Sequence, residues 1–344
     1  MLLPASPEDL AALERAIVAA AAAEANPREP LLQGPKRQHY LPRFYLDGFA
    51  KDGLMSVYDR EKNEVRRQQP RNTTVIGHFY TMGDAQGRRR YEIEALLPEY
   101  EGKASPVIKK LAANGTVTAD ERTDLAIFVT LGAMRTPDIV DSLQRMNSEM
   151  ILSVAKRIYS DMGHVAADLR KDPAYAGMSD VEVRGEAQAM VDMAQTEGFT
   201  VATSERWAVG MAIKMAFDVA PLLAGRDWVV AHRDNGKTSF VTTDSPVVLT
   251  STESSAESIY GIGFGSPDAF VTFPLTQSCV LMMHGDDGGF RHVEANAEKV
   301  RVANLAMAEK CKRFRVGRDE ALVKSLAEKV GFAQSPWRPK MQVG

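Results

Sequence analysis

Pro221-Leu222-Leu223-Ala224-Gly225-Arg226-Asp227-Trp228-Val229-Val230-Ala231-His232 is the stretch on which the fold class turns. Up to Ala224 the apolar residues recur at helical spacing, and beyond Gly225 the texture becomes that of a strand. Toward the carboxyl terminus, strands are expected at 228–232, 239–243, 269–273 and 278–283. A helix from about Ala295 to Lys310, a short strand Arg313–Val316 and a final helix follow. In the other direction helices are expected near 203–224 and 179–197, from Ile139 to about Met162, and after the capping box Thr118/Glu121. Ile93, Leu97, Tyr100, Ala104, Val107, Ile108 and Leu111 mark a further helix closed by Asn114-Gly115. Pro98 and Pro106 inside it predict a kink or a split.

Nearer the amino terminus, Leu54–Tyr58 and Glu64–Arg67 read as strand, turn, strand, with Asn63 left-handed. A second short strand region runs from Thr74–Ile76 through Phe79–Thr81. The order strands, helices, strands, helix predicts an α+β fold. Its sheet, mixed or antiparallel, is formed by N- and C-terminal segments and covered by a helical middle section. Residues 1–35 read as an N-terminal helix, capped by Ser6, and a linker. Residues 36–344 read as a single domain, helical over about 88–224 and strand-rich over about 226–316.

With 344 residues, 44% hydrophobic and 25% charged, the chain can bury a core without disulfide or metal. A net charge of -3 excludes nucleic-acid binding by bulk electrostatics alone and leaves a local basic groove open. Cys279 and Cys311 read as reduced thiols. The first residues lack a basic n-region, and Ala16–Ala25 is too short to span a bilayer. A cytoplasmic protein with no membrane contact is expected. The narrow stripe Leu10, Leu13, Ile17 and Ala21 suits packing on the body or on a second subunit, so the N-terminal helix is an expected route to an oligomer.

Candidate chemistry begins with Gln38–Ala50, which threads His39, Arg43, Tyr40 and Tyr45 among apolar residues. On a helix, His39 and Arg43 lie one turn apart on one face, a fork for phosphate beside an acid–base group. Alternatively Arg43 ties two elements through a carboxylate and His39 is a satisfied core histidine. Glu94 and Glu101 stand seven apart, about 10 Å along one helix face, spaced to flank metal ions or a reacting group. Alternatively each is bonded to an arginine. Arg135-Thr136-Pro137 predicts a helix break that aims Arg135 into a cleft, or a plain loop. In Thr242-Thr243-Asp244-Ser245-Pro246 the aspartate ends a strand, where it can serve as ligand or base, or cap its own turn. There is no Ser-His-Asp signature, zinc spacing or dinucleotide fingerprint, and Gly261, Gly263 and Gly265 precede no P-loop lysine.

His39-Tyr40-Leu41-Pro42-Arg43-Phe44-Tyr45-Leu46 with Phe49-Ala50 resembles the opening of a bacterial domain-of-unknown-function family, roughly His-Tyr-x-Pro-Arg-x-Tyr-Leu-x-x-Phe. Val57-Tyr58-Asp59 and His78-Phe79-Tyr80 look like its next strand and aromatic pair. Glu94 and Glu101 look like its helix glutamates, and Arg135-Thr136-Pro137 like its helix-end tripeptide. Phe240–Pro246 and Phe273-Pro274-Leu275 look like its late motifs. The resemblance covers about residues 36–315 and implies a shared polar site rather than a settled activity.

Taken together, His39, Arg43, Glu94, Glu101, Arg135 and Asp244 carry two positive against three negative charges, so such a site needs a cation or a held proton. The expectation is a metal-dependent hydrolase of a phosphodiester or nucleotide, a nuclease in bacterial defence being one form. Glu94, Glu101 and Asp244 would bind Mg²⁺ or Mn²⁺. Arg43 and Arg135 would clamp phosphate, His39 would move protons, and Tyr45 completes the catalytic set. The alternative is a non-catalytic ligand- or protein-binding module with a structural His/Arg/Glu/Asp network. A glycosidase pair lacks aromatic platforms, with three tryptophans in the chain.

Overall fold

A computed structural model describes residues 31–83, 86–196, 205–234, 236–251 and 262–330. The expected N-terminal helix, its role in oligomerisation and the stretch 252–261 of the glycine-rich loop lie outside the described residues. In chain order the elements are β1 Arg37–His39, α1 Arg43–Asp47, β2 Met55–Asp59, β3 Glu64–Gln68, β4 Val75–Gly77, β5 Met82–Gly83 and β6 Arg89–Arg90. The helices α2 Glu92–Ala112, α3 Ala119–Met134, α4 Pro137–Ile158, α5 Met162–Leu169, α6 Asp180–Gln195 and α7 Glu205–Gly225 follow. Then come β7 Asp227–Arg233, β8 Thr242–Thr243, β9 Val248–Ser251, β10 Ala269–Thr276, β11 Cys279–His284 and β12 Phe290–Ala295. The helix α8 Ala297–Lys310, β13 Phe314–Gly317 and α9 Glu320–Lys329 complete the described chain. The fold is α+β.

The chain divides into two compact units, Met1–Ile139 with Val209–Gly344, and Val140–Ala208. The smaller unit is helical. In it α5 packs on α6, and Ser179 and Glu182 form a capping box at the start of α6. Helical periodicity stops at Ile158, and α5 starts separately because Asp161 caps it through the His164 N–H.

In the larger unit one sheet has the order β3-β2-β13-β8, all antiparallel, so N- and C-terminal segments do share a sheet. Val57 is its hinge of register, opposite Arg66 on one side and Val316 on the other. Asn63 takes φ 52° at the β2–β3 turn, as its left-handed tolerance predicts. The helix packed on β2 and β13 is the C-terminal α9. The other sheet has the order β12-β7-β11-β10-β9, with only β12 and β7 parallel, and α2 lies against β10.

Several local expectations shift. The helix over 92–112 is unbroken despite Pro98 and Pro106. Each proline removes one ladder bond, while the buried stripe Ile93–Leu111 holds the helix through both positions. Residues 78–80 form a turn, with His78 at φ 57°, in place of the strand expected over 79–81. The strand over 239–243 shrinks to two residues because its backbone is bonded elsewhere: Phe240 N–H to the Gln277 carbonyl and Val241 N–H to Asn304 Oδ1. The polar edge strand β12 carries Arg291, His292 and Glu294, which hid it from an apolar reading. Within 206–225, α7 is apolar and long enough by composition to cross a membrane. Its buried Val209, Ile213, Phe217 and Ala220 recur at helical spacing, with Phe217 edge-on to Tyr100 at 5.0 Å.

Candidate functional site

The structure separates the sequence-selected residues into one site and several structural contacts. Arg43 is exposed and, among the described residues, forms its ion pair with Asp47 at 3.7 Å, one turn along α1. His39 lies in β1, not on a helix with Arg43, and its Nε2 meets the Arg71 carbonyl at 3.3 Å. Burial lowers its pKa, which favours neutral imidazole. Tyr45 is fully buried. Its ring stacks on Phe273 at 5.2 Å, and its hydroxyl bonds Thr242 Oγ1 at 2.7 Å, so it pins α1 to β10 and β8.

Asp244 belongs to a fourth place. Its carboxylate accepts the Lys312 N–H at 3.0 Å and the Arg313 N–H at 2.7 Å, shaping the loop between α8 and β13. Burial pushes its pKa from 3.8 up to about 6 against the pull of those amides. Cys279 and Cys311 are free and buried.

What the fold does bring together is Glu94, Glu101 and Arg135, joined by Tyr80, whose phenol lies within the field of all three charges. Both glutamates sit on α2, one continuous helix, so the seven-residue spacing keeps them on a common face. Arg135 is the first residue past α3, where ψ leaves helical values two residues ahead of Pro137; its N–H still reaches the Leu131 carbonyl at 3.0 Å. The packing of α2 on α3 carries its guanidinium to Glu101, with Nη2 to Oε1 at 3.0 Å. Tyr80 is set by Gln38, which is wholly buried; Gln38 Oε1 accepts the Tyr80 N–H at 2.6 Å, and its Nε2 donates to Thr81 Oγ1 at 3.1 Å.

The hydrogen bonding of this cluster is incomplete. Arg135 is 1% exposed, yet its Nε and Nη1 have no protein partner among the described residues. The same holds for the Tyr80 hydroxyl, the Thr136 hydroxyl and Glu94 Oε2. Glu94 is shifted to a pKa of about 7 by burial first and by the Glu101 charge second, with Arg135 opposing. Burial raises Glu101 as well, while Arg135 pulls it down. Glu94 therefore holds or gives up a proton near neutral pH, beside a fixed cation with two open donors.

The proposed three-carboxylate metal set is not assembled. Among the described residues no three His, Cys, Asp or Glu side chains are grouped to hold an ion, and Asp244 is committed to backbone amides. Two carboxylates remain at the cluster. Sequence reasoning overlooked Gln38 and gave Tyr80 no role. A glutamine, an amphipathic residue with four hydrogen-bonding positions, inside so apolar a segment was the available signal.

No curated protein and no solved structure matches the chain. A family model described as "Protein of unknown function (DUF4238)" matches residues 37–321, which include every residue of the cluster. The chain belongs to that family.

Proposed function

We propose that this chain hydrolyses a phosphodiester or nucleotide at the cluster of Arg135, Glu94 and Glu101. The observation that supports it is the buried Arg135 guanidinium with two unpartnered donors beside a carboxyl that titrates near pH 7. A planar guanidinium with Nε and one Nη open matches two oxygens of a phosphoryl group. Protonated Glu94 gives its proton to the leaving alkoxide as the ester P–O bond breaks. Ionised Glu101 takes a proton from the water whose oxygen bonds to phosphorus. The products are an alcohol and a phosphomonoester from a diester, or an alcohol and phosphate from a nucleoside monophosphate, and exchange with solvent restores the two carboxyls. The Tyr80 hydroxyl supplies a further donor to the phosphoryl oxygens. Mg²⁺ is commonly held by one or two carboxylates together with substrate phosphates. In a metal-dependent form both carboxyls would be ionised and Glu94 and Glu101 would hold Mg²⁺ or Mn²⁺ in that way, and the ion, in place of the Glu94 proton, would supply Lewis-acid stabilisation of the phosphoryl oxygen and the leaving group.

A second reading, a binding module without turnover, draws on the structural partners of His39, Arg43, Tyr45 and Asp244. There Arg135 holds an anionic ligand and the carboxyls only select it. The test is hydrolysis of bis-p-nitrophenyl phosphate, nucleotides and single-stranded DNA, with and without Mg²⁺ or Mn²⁺, by the parent and by Glu94→Gln and Arg135→Lys. Turnover in the parent and a fall of about 100-fold or more in folded variants is expected. Calorimetric binding of phosphate at Arg135 without turnover of any substrate establishes the second reading. Neither turnover nor binding overturns both.

A further inference from the structure

A concave region lies in the same unit, with no residue in common with the Arg135 cluster. Two helices wall it. From α8 come Ala297, Val300, Arg301, Asn304 and Leu305, which recur on one face, and from α9 come Ala321, Leu322, Ser325, Leu326 and Lys329. The segment Lys237-Thr238-Ser239 closes one end, and the cleft measures about 360 Å³, within the range of small-molecule sites.

Its floor is apolar, with Val300 and Leu326 buried, whereas its rim carries the exposed cations Lys237, Arg301 and Lys329. Asp319 is the one acid among the lining residues, and it is already paired with Arg318 Nε at 3.2 Å. Arg301 and Lys329 against one neutralised acid give the cleft a positive field. Two further observations point to a ligand. Ser239 is 2% exposed and its hydroxyl has no partner among the described residues; the Thr238 hydroxyl beside it is likewise buried and unpartnered. In addition, α9 has Asp319 at its N-cap with no side-chain cap bond, and its first-turn residues Ala321 and Leu322 line the same cleft, so their N–H groups lack that cap. Asn304 is not part of this polar set. Its amide is spent on Val241 N–H at 3.0 Å and the Ser239 carbonyl at 2.9 Å, which fixes the 239–241 backbone in place.

We propose that this cleft binds a phosphomonoester, with the phosphate at Arg301, Lys329, the Thr238 and Ser239 hydroxyls and the start of α9, and an apolar or planar body on the Val300–Leu326 floor. It is a binding site apart from the hydrolytic reading of Arg135 and stands without it. The apolar floor predicts that a phosphate with a body attached binds more tightly than phosphate alone.

The experiment is calorimetric titration of the full chain with inorganic phosphate, glycerol 3-phosphate and AMP, in the parent, in Arg301→Ala/Lys329→Ala and in Ser239→Ala. AMP is expected to bind at least tenfold more tightly than inorganic phosphate, and the double variant to lose at least tenfold in affinity for AMP. Both substituted cations are exposed, so the variant should fold. Ser239→Ala is expected to weaken AMP binding about threefold while melting no lower than the parent, because it deletes a hydroxyl that nothing in the protein satisfies. Binding of equal strength in parent and double variant places the ligand elsewhere and overturns the proposal. Absence of heat with all three probes overturns it too, and leaves the hydrolysis assays at Arg135 to be judged on their own.

Discussion

Arg226 and Arg135 are both buried guanidiniums standing immediately past the end of a long helix, α7 in one case and α3 in the other. Arg226 spends its two terminal nitrogens on four carbonyls, those of Phe264 at 2.9 Å, Ser266 at 2.7 Å, Gly285 at 3.3 Å and Ala269 at 3.4 Å. It stitches a loop and two strands to the end of a helix, and its charge is spread over backbone dipoles. Arg135 touches one carboxylate and leaves two nitrogens without a protein partner among the described residues. Two buried arginines thus differ in how much their surroundings complete: among the described residues Arg226 leaves only its Nε without a partner, whereas Arg135 leaves Nε and Nη1. The first is a staple, and the second presents donors in a fixed direction beside an acid of matched pKa.

The contrast can be broken most directly at Arg226. Arg226→Met should cost more than about 3 kcal/mol, since several carbonyls lose their donor at once, and thermal unfolding will read it. A loss below 1 kcal/mol would mean those contacts are dispensable. Arg135→Lys should do the reverse: it keeps charge but not the fork, so phosphate affinity or turnover falls about 100-fold while the melting temperature moves little. If stability and ligand response fall together as steeply as at Arg226, Arg135 is a staple after all.

The acids sharpen the same comparison. Asp244→Asn keeps one acceptor but sets an amide N–H₂ against a backbone N–H, which should cost about 1–3 kcal/mol in denaturant unfolding and leave ligand affinity unchanged. At Glu94 the sign follows from burial. Its pKa rises from 4.5 to about 7 on folding, so the folded state retains a proton the unfolded chain has lost. Stability attributable to it is therefore fully present below pH 4.5 and lost as pH climbs through 7. Glu94→Gln should flatten that slope, as unfolding series at pH 5 and pH 8 will show. The smallest effect belongs to Arg43→Ala, within about 0.5 kcal/mol, because its ion pair among the described residues is an exposed one within α1.

Much of the architecture was legible along the chain. The capping box Thr118/Glu121, the left-handed Asn63 and the apolar stripe of α2 are local devices, and local devices act through near neighbours in sequence. Edge strand β12 and the shrunken β8 were not legible, since one is defined by pairing with β7 and the other by a distant asparagine. The same division runs through the polar residues. Glu94, Glu101 and Arg135 could be picked out by spacing and by the proline that ends α3. The segment containing His39, Arg43 and Tyr45, chemically the richest in the sequence, proved to be a clasp: a strand pair, an exposed ion pair and a buried stack.

The sequence by itself determined the class of fold, the helix boundaries set by caps and glycine, and a short roster of polar residues that a core must satisfy or use. Only the tertiary structure decided which of them meet. Asp244 and Glu94 are both acids in apolar surroundings, and nothing in their local sequence tells one from the other. Asp244 finds two backbone amides across the α8–β13 loop, whereas Glu94 finds another carboxylate and an arginine. Burial sets the cost of a charge, and the partners brought by distant segments decide whether that cost is met within the protein or left for a ligand.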